Sequence, residues 1–128
     1  MKLLLDTCAF LWAIAEPERL SRQVRELLVD PANEPCLSVV SVWEIGVKYA
    51  LGRLPLPQPP AALIPAQRRS HGIETLALEE EATLYIPRLP KLHLDPFDRM
   101  LICQAIVHGL SILTPDGEIA QYPVRTIW

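Results

Sequence analysis

Short apolar runs alternate with amphipathic stretches along this chain. Five runs have the length and composition of buried strands: residues 2–5, 36–40, 73–78, 110–113 and 124–127. Helical spacing of apolar residues, together with residues that start or stop helices, predicts helices over residues 6–15, 18–29, 41–52, 61–70, 79–86 and 96–108. Strands that alternate with helices favour an α/β fold, in which helices cover both faces of a mainly parallel sheet.

Prolines mark where regular structure stops along the chain. Eight of the thirteen prolines fall within residues 55–96. Residues 54–60 are so rich in proline that neither a helix nor a central strand is expected there, and they predict an extended connector or an arm. Asp95 followed by Pro96 is a typical helix start, and Gly109 is a typical helix end, so the last predicted helix is the clearest one.

The length and composition fit one globular domain spanning residues 1–128. Half of the residues are hydrophobic, which argues against disorder. No apolar run approaches the roughly 20 residues that a membrane-spanning helix needs. Lys2 is followed by only three leucines before Asp6, which is unlike a signal peptide. We therefore expect a cytoplasmic protein that does not associate with membranes.

The cysteines and histidines are too scattered to predict zinc. Cys8, Cys36 and Cys103 lie far apart, and none shows the spacing of a zinc motif with another cysteine or a histidine. Free, buried thiols in a reducing compartment are the expected state of these residues.

Four carboxylates stand where predicted strands end or predicted helices begin: Asp6, Glu44, Asp98 and Asp116. In an open α/β sheet, these ends meet at one edge, and sites form there. Four acids so placed would repel one another unless a cation neutralised them, and oxygen ligands of this kind suit Mg²⁺ or Mn²⁺. The set therefore predicts a metal-dependent phosphodiesterase.

Each acid also has a purely structural explanation. Asp6 is a favoured helix cap, and Ser41 with Glu44 matches a capping box. Asp98 follows the helix start at Asp95, where the helix dipole favours negative charge. Residues 114–117 match a type I turn that contains Asp116. The metal hypothesis therefore depends on the four acids taken together. An unpaired buried carboxylate is costly, and few basic residues lie near these acids in sequence, so a metal ion is the simplest common partner.

The overall charge is unusual for a protein that binds nucleic acid. The chain carries 12 basic and 15 acidic residues, for a net charge of −3. Without the four proposed site acids, 11 acidic residues remain against 12 basic ones. Phosphate contacts come mainly from lysine and arginine, so any nucleic acid is expected to bind weakly or over a small footprint.

The chain resembles the PIN-domain ribonucleases, and specifically the VapC-type toxins of bacterial VapBC toxin–antitoxin pairs. Four blocks carry the resemblance: residues 4–12; residues 41–45 with Lys48 and residues 52–54; residues 93–101, which begin with His93 and Leu94; and residues 113–116 with residues 122–124. The blocks occur in the family's order over nearly the whole chain. Position 8 is often histidine in such toxins, and Cys8 replaces it here.

The resemblance implies a three-layer α/β/α fold with a central, mainly parallel sheet. It also implies a catalytic metal site formed by Asp6, Glu44, Asp98 and Asp116, binding Mg²⁺ or Mn²⁺. Two weaker candidates support that site: Asp95, which would orient rather than ligate, and Thr114, which would hydrogen-bond a ligand carboxylate. A cognate VapB-type antitoxin, an RNA substrate and a homodimer are implied as partners.

The function that we predict is cleavage of RNA phosphodiester bonds by a metal-activated water, as the toxin of a type II toxin–antitoxin pair. The main alternative is a catalytically weak binding module that grips its antitoxin. Four apolar residues could line the groove for such a partner, although core packing is the expected role of each: Trp12, Trp43, Leu63 and Ile64. A phosphatase of the haloacid dehalogenase type needs a second aspartate at position 8, and a receiver-like phospho-acceptor needs an acidic pair, so both rank lower.

Overall fold

The computed structural model describes residues 1–92 and 95–128. His93 and Leu94, which open the third block of the resemblance, lie outside the described residues. The strands are β1 (Lys2–Leu5), β2 (Glu34–Ser38), β3 (Glu74–Leu76), β4 (Ser111–Leu113) and β5 (Thr126–Ile127). The α-helices are α1 (Thr7–Ala15), α2 (Arg22–Val29), α3 (Val39–Ala50), α4 (Pro60–Ser70), α5 (Glu80–Leu84) and α6 (Pro96–His108). Short 3₁₀ helices cover Pro17–Arg19, Ile86–Arg88 and Ile119–Gln121.

The strands form one parallel sheet in the order β3-β2-β1-β4-β5. The central strand β1 pairs with β2 on one side and with β4 on the other. Leu5 at its end lies opposite Leu37 of β2 and Leu113 of β4, so the carboxyl ends of three strands stand side by side. This arrangement confirms the predicted parallel sheet, and it brings the segments that follow these strands to one edge.

The two faces of the sheet are covered by separate apolar clusters. Because side chains alternate along a strand, Leu3 and Leu5 of β1 pack into one cluster and Leu4 packs into the other. The first cluster draws its helical residues from α1, α2, α3 and α4, as with Phe10, whereas the second contains much of α6, as with Leu101. Burying each such side chain contributes about 2 kcal/mol. The predicted three-layer α/β/α fold is confirmed.

The predicted start of α3 was wrong. The helix begins at Val39 rather than Ser41, and Ser38 is its cap, with its hydroxyl accepting a 3.0 Å hydrogen bond from the Val40 amide. Ser41 therefore lies inside the helix, and the predicted capping box between Ser41 and Glu44 does not form. Both serines suit a helix start, and Ser38 takes it because the strand ends at that residue.

Other boundaries also shifted. The predicted helix over residues 18–29 is divided, because Ser21 caps a new helix by accepting a hydrogen bond from the Val24 amide. The predicted turn over residues 114–117 is displaced toward the C-terminus, with turn geometry at residues 117–118. Residues 54–59 form neither helix nor strand, as the prolines predicted. None of the helices in residues 1–92 and 95–128 is long and apolar enough to cross a bilayer.

Candidate metal-binding and catalytic site

Asp6 lies where the order of the strands reverses, between β1 and β4. Its backbone amide donates to the Leu113 carbonyl of β4 at 3.2 Å, and its carboxylate caps α1 by accepting the Ala9 amide at 2.7 Å. The side chain of Thr114, directly after β4, also hydrogen-bonds the Asp6 carboxylate. This reversal point is where open α/β sheets usually form their sites.

The surroundings of Asp6 disfavour its charged form. Asp6 is only 4% exposed, and this burial raises the pKa of its carboxyl group. The hydrogen bonds from Thr114, Ala9 and Cys8 act in the opposite direction, while the negative charge of Asp116 raises the pKa further. Asp6 is therefore a carboxylate whose ionised form a bound cation would stabilise.

Glu44 is held at both carboxylate oxygens. Thr7, the first residue of α1, donates to Oε1 at 2.7 Å, and Lys48, one turn along α3, donates to Oε2 at 2.5 Å. The Ser41 hydroxyl lies 3.0 Å from the Thr7 hydroxyl; because Thr7 gives its proton to Glu44, Ser41 is the donor in that pair. Glu44 is only 5% exposed, so these partners keep a buried carboxylate satisfied.

Asp98 is fixed in the first turn of α6 by Asp95. The Asp95 carboxylate caps this helix and accepts the amides of Phe97 and Asp98 at 2.9 and 3.1 Å. The charge of Asp98 affects two other groups: it raises the pKa of Cys8, which contacts Asp6, and that of Lys48, which pairs with Glu44. Asp98 therefore lies within electrostatic range of both Cys8 and Lys48.

Asp116 is held by the loop that follows β4. Its amide donates to the Thr114 hydroxyl at 3.0 Å, and its carboxylate accepts the Glu118 amide at 2.8 Å. The Thr114 side chain therefore contacts both the backbone amide of Asp116 and the carboxylate of Asp6. This is the kind of contact that was predicted for Thr114, and whether it supports a metal ligand stays a prediction.

Cys8 is affected by the charges of three of the predicted acids. Its thiol donates to the Asp6 carboxylate at 3.3 Å. Burial is the largest cause of the raised pKa of this thiol, and the negative charges of Asp6, Asp116 and Asp98 raise it further. Cys8 is therefore a protonated, half-buried thiol that contacts Asp6 and lies within range of the charges of Asp98 and Asp116.

The donor chemistry of the site fits a hard divalent cation, because its acidic groups are all carboxylates. In the part of the chain that the structure describes, however, no three Asp, Glu, His or Cys side chains are grouped closely enough to hold a metal ion. A metal ion would have to draw these carboxylates closer together. Lys48 is a cation close to this site, since Glu44, Asp95 and Asp98 all raise its pKa, the hydrogen bond to Glu44 most strongly.

Two features of the site were not predicted from the sequence. Thr7 was not singled out, although its place next to Asp6 at the start of a helix puts its hydroxyl at the same sheet edge. Trp43 was expected in the core, and this was wrong, because 61% of its surface is exposed. Leu63 and Ile64 are buried as expected, and Trp12 is partly buried against Trp128.

Residues 3–124 match the family model described as the PIN domain. The match covers nearly all of the fold and the four candidate carboxylates. The chain therefore belongs to the PIN-domain family, as its resemblance predicted.

Two relatives show which PIN-domain proteins this chain is similar to. Over 130 aligned residues, the chain is 27% identical to Ribonuclease VapC22 of Mycobacterium tuberculosis, covering 98% of this chain and 97% of that protein. It is 35% identical to Ribonuclease VapC16 of the same organism over 63 residues, which are 49% of this chain and 45% of that protein. The predicted resemblance to VapC-type ribonucleases of the PIN family is confirmed.

Solved structures share the fold. The chain superposes on VapBC2 from Rickettsia felis, bound to a promoter DNA fragment, with a TM-score of 0.76 and 16% identity, covering 99% of this chain and 98% of that one. DNA-bound VapBC from Salmonella typhimurium gives a TM-score of 0.71 and 19% identity, over 99% and 97% of the two chains. These similarities support the three-layer architecture described above.

Proposed function

We propose that this protein is a metal-dependent endoribonuclease and the toxin of a type II toxin–antitoxin pair, acting as a single domain over residues 1–128. The observation that supports the proposal is that the charges of Asp6, Asp98 and Asp116 all act on the Cys8 thiol, while Lys48 pairs with Glu44 and is also affected by the charge of Asp98. The ribonuclease names of the two relatives support the choice of substrate.

Asp6, Glu44, Asp98 and Asp116 would hold the ion in this proposal, with Mg²⁺ or Mn²⁺ suiting their oxygen atoms. When bound, the ion would lower the pKa of a water molecule for attack on phosphorus and offset negative charge on the phosphate. Thr114 would keep the Asp6 carboxylate oriented, and Asp95 would fix the helix start that carries Asp98. Thr7 and Lys48 would hold the Glu44 carboxylate.

Cleavage of total cellular RNA by the purified, antitoxin-free protein tests this function. The assay compares Mg²⁺, Mn²⁺ and EDTA, and it includes the variant Asp98→Asn. We expect discrete fragments that require metal and disappear in Asp98→Asn, while the circular dichroism spectrum of that variant stays unchanged. Cleavage that persists in EDTA, or in a folded Asp98→Asn protein, would contradict the proposal.

The alternative function, a binding module, is favoured by an apolar groove between α1, the proline-rich connector and α4. The groove has a volume of about 360 Å³, and its lining includes Trp12, Leu56 and Leu63. We propose that a VapB-type antitoxin covers apolar surface of this kind. Co-expression with the product of the neighbouring gene tests this: a stable complex, with no metal-dependent cleavage by the free protein, would favour binding alone.

The proposal also includes a homodimer and a cytoplasmic location, where cellular RNA is accessible. Sedimentation of the purified protein tests the dimer directly. A monomer at micromolar concentration would remove the dimer from the proposal and leave the nuclease activity to be judged by the cleavage assay.

A further inference from the structure

We propose that Trp43, held by Phe97, is a stacking platform for an RNA base next to the cleaved phosphate. This inference rests on the proposed ribonuclease function and adds a residue that would contact the substrate. The ligand would be an unpaired base of single-stranded RNA, recognised through its flat face rather than through its hydrogen-bonding edge.

The position of this aromatic pair carries the inference. Trp43 of α3 directly precedes Glu44, and Phe97 of α6 directly precedes Asp98, so the pair joins the two helices beside two candidate ligands. The ring centroids lie 4.9 Å apart at an interplanar angle of 76°, which is a favourable edge-to-face contact. This contact orients the indole while 61% of Trp43 remains exposed.

The low number of basic residues is a reason to expect RNA binding through base stacking. With a net charge of −3 and 12 basic residues in all, the chain has little capacity to bind RNA through its phosphates. Base stacking does not depend on net charge, and every base offers a π face. An exposed indole beside the carboxylates would therefore supply affinity where the local charge opposes RNA.

Another copy of this chain could also cover Trp43. The other exposed residues of α3 offer a way to distinguish a second copy from an RNA base. Val39, Trp43, Val47 and Leu51 recur every four residues and are all exposed, which places them in one row on the helix surface. A protein partner would cover the length of this row, whereas a stacked base needs only Trp43. Leu51 is also 61% exposed and lies two turns from Trp43, so it is a matched control.

RNA binding is measured in an Asp98→Asn background with Mg²⁺, so that the probe is not cleaved. The probe is a fluorescently labelled single-stranded oligoadenylate, and the comparison probe is an abasic oligomer of the same length. We expect Trp43→Ala to weaken oligoadenylate binding about tenfold. Trp43→Phe should keep most of the affinity, since a phenyl ring also stacks, and Leu51→Ala should bind as the parent does.

Two further readouts separate stacking from charge and from general damage. Oligoadenylate should quench the tryptophan fluorescence of the parent and not that of Trp43→Phe, because that variant retains only Trp12 and Trp128. The dependence of log K on log salt concentration should have the same slope in Trp43→Ala as in the parent, since no phosphate contact is lost.

The inference is overturned if Trp43→Ala binds oligoadenylate as tightly as Leu51→Ala does. It is also overturned if Trp43→Ala weakens the abasic probe equally, or if both alanine variants dissociate a dimer in sedimentation, which would assign the row to a second copy. Failure of the proposed function is a separate result: an inactive wild type whose binding still depends on Trp43 would remove the nuclease and leave Trp43 only as a site that binds RNA bases.

Discussion

The hydroxyl of Thr7 donates a 2.7 Å hydrogen bond to the carboxylate of Glu44, which is 37 residues away in sequence. This contact joins the first turn of α1 to the middle of α3, above the carboxyl ends of β1 and β2. Asp6 immediately precedes Thr7, so the same turn that presents one candidate ligand holds a second one in place.

Replacing Thr7 with valine should disturb Glu44 without changing the volume of the side chain. The buried Oε1 atom loses its donor, and leaving such a group unsatisfied costs about 1–3 kcal/mol. We expect Thr7→Val to lower the free energy of unfolding by about that amount and to reduce cleavage by about tenfold. Denaturant unfolding and the rate of RNA cleavage measure the two effects.

Ser41→Ala is the matched control for that substitution. It removes the hydroxyl that lies 3.0 Å from Thr7, yet it leaves the bond from Thr7 to Glu44 intact. Its loss of activity should be clearly smaller. Equal losses in the two variants would mean that the orientation of Glu44 does not depend on Thr7.

Lys48 should act as a substitute for the metal in the metal-free protein. Its ammonium pairs with Glu44 and is stabilised also by the charges of Asp95 and Asp98. We expect Lys48→Met to destabilise the metal-free protein modestly, by about 0.5 kcal/mol, since the lysine is half exposed. Mg²⁺ should then raise the unfolding midpoint more in Lys48→Met than in the wild type, as measured by thermal unfolding with and without the ion.

Arg22→Met supplies the comparison for Lys48→Met. Arg22 and Glu26 also form an ion pair between residues four apart, but both side chains are largely exposed and lie on α2. Mg²⁺ should shift the midpoint of Arg22→Met as it does that of the wild type. The same enlarged shift in both variants would indicate a general effect of lost positive charge.

The sequence predicted the strands and helices well, because apolar runs and caps are local signals. It also predicted that the segments after β1, β2 and β4 lie at one edge, since the carboxyl ends of parallel strands must lie together, whereas the role of the acids at that edge stays a prediction. It did not distinguish Ser38 from Ser41 as a helix cap, because both residue types suit that position and only the end of β2 decides between them.

Contacts between distant segments could not be predicted in the same way. Nothing local indicates that Thr7 meets Glu44, since that depends on how α1 and α3 pack. Trp43 was expected to pack in the core, yet it is exposed on a row of α3 with Val39 and Val47. Helical spacing shows which residues share a face, but not whether another layer of the protein covers that face.

Asp6→Asn should stabilise the metal-free protein in a pH-dependent way. Burial raises the pKa of Asp6 above its ordinary value of 3.8, so the folded state keeps this proton over a range in which the unfolded state has lost it. Stability contributed by Asp6 is therefore lost as pH rises from 3.8 through the folded-state pKa, and Asn removes that loss. The unfolding midpoint of Asp6→Asn minus that of the wild type should grow across this range and then level off, reaching about 3 °C.

Adding Mg²⁺ at neutral pH should reverse the order of these two proteins. The ion stabilises the ionised carboxylate of the wild type, whereas Asn offers no charge to bind it. RNA cleavage by Asp6→Asn should be lost under the same conditions. A midpoint difference that is independent of both pH and Mg²⁺ would show that Asp6 acts only as the cap of α1.

Asp116 and Glu118 carry equal charges two residues apart, but we expect only Asp116 to matter for RNA cleavage. Asp116 raises the pKa of Asp6 and lies near Cys8, whereas Glu118 meets Asp116 through its backbone amide. Asp116→Asn keeps an oxygen that can accept a hydrogen bond from this amide, so the loop should retain its fold.

We expect cleavage to fall about a hundredfold or more in Asp116→Asn, because a ligand charge is lost, and to stay near the wild-type rate in Glu118→Gln. RNA cleavage rates at saturating Mg²⁺ distinguish the two variants. Equal rates would mean that Asp116 contributes only to the general negative charge of the surface, because both substitutions remove one negative charge from the same loop.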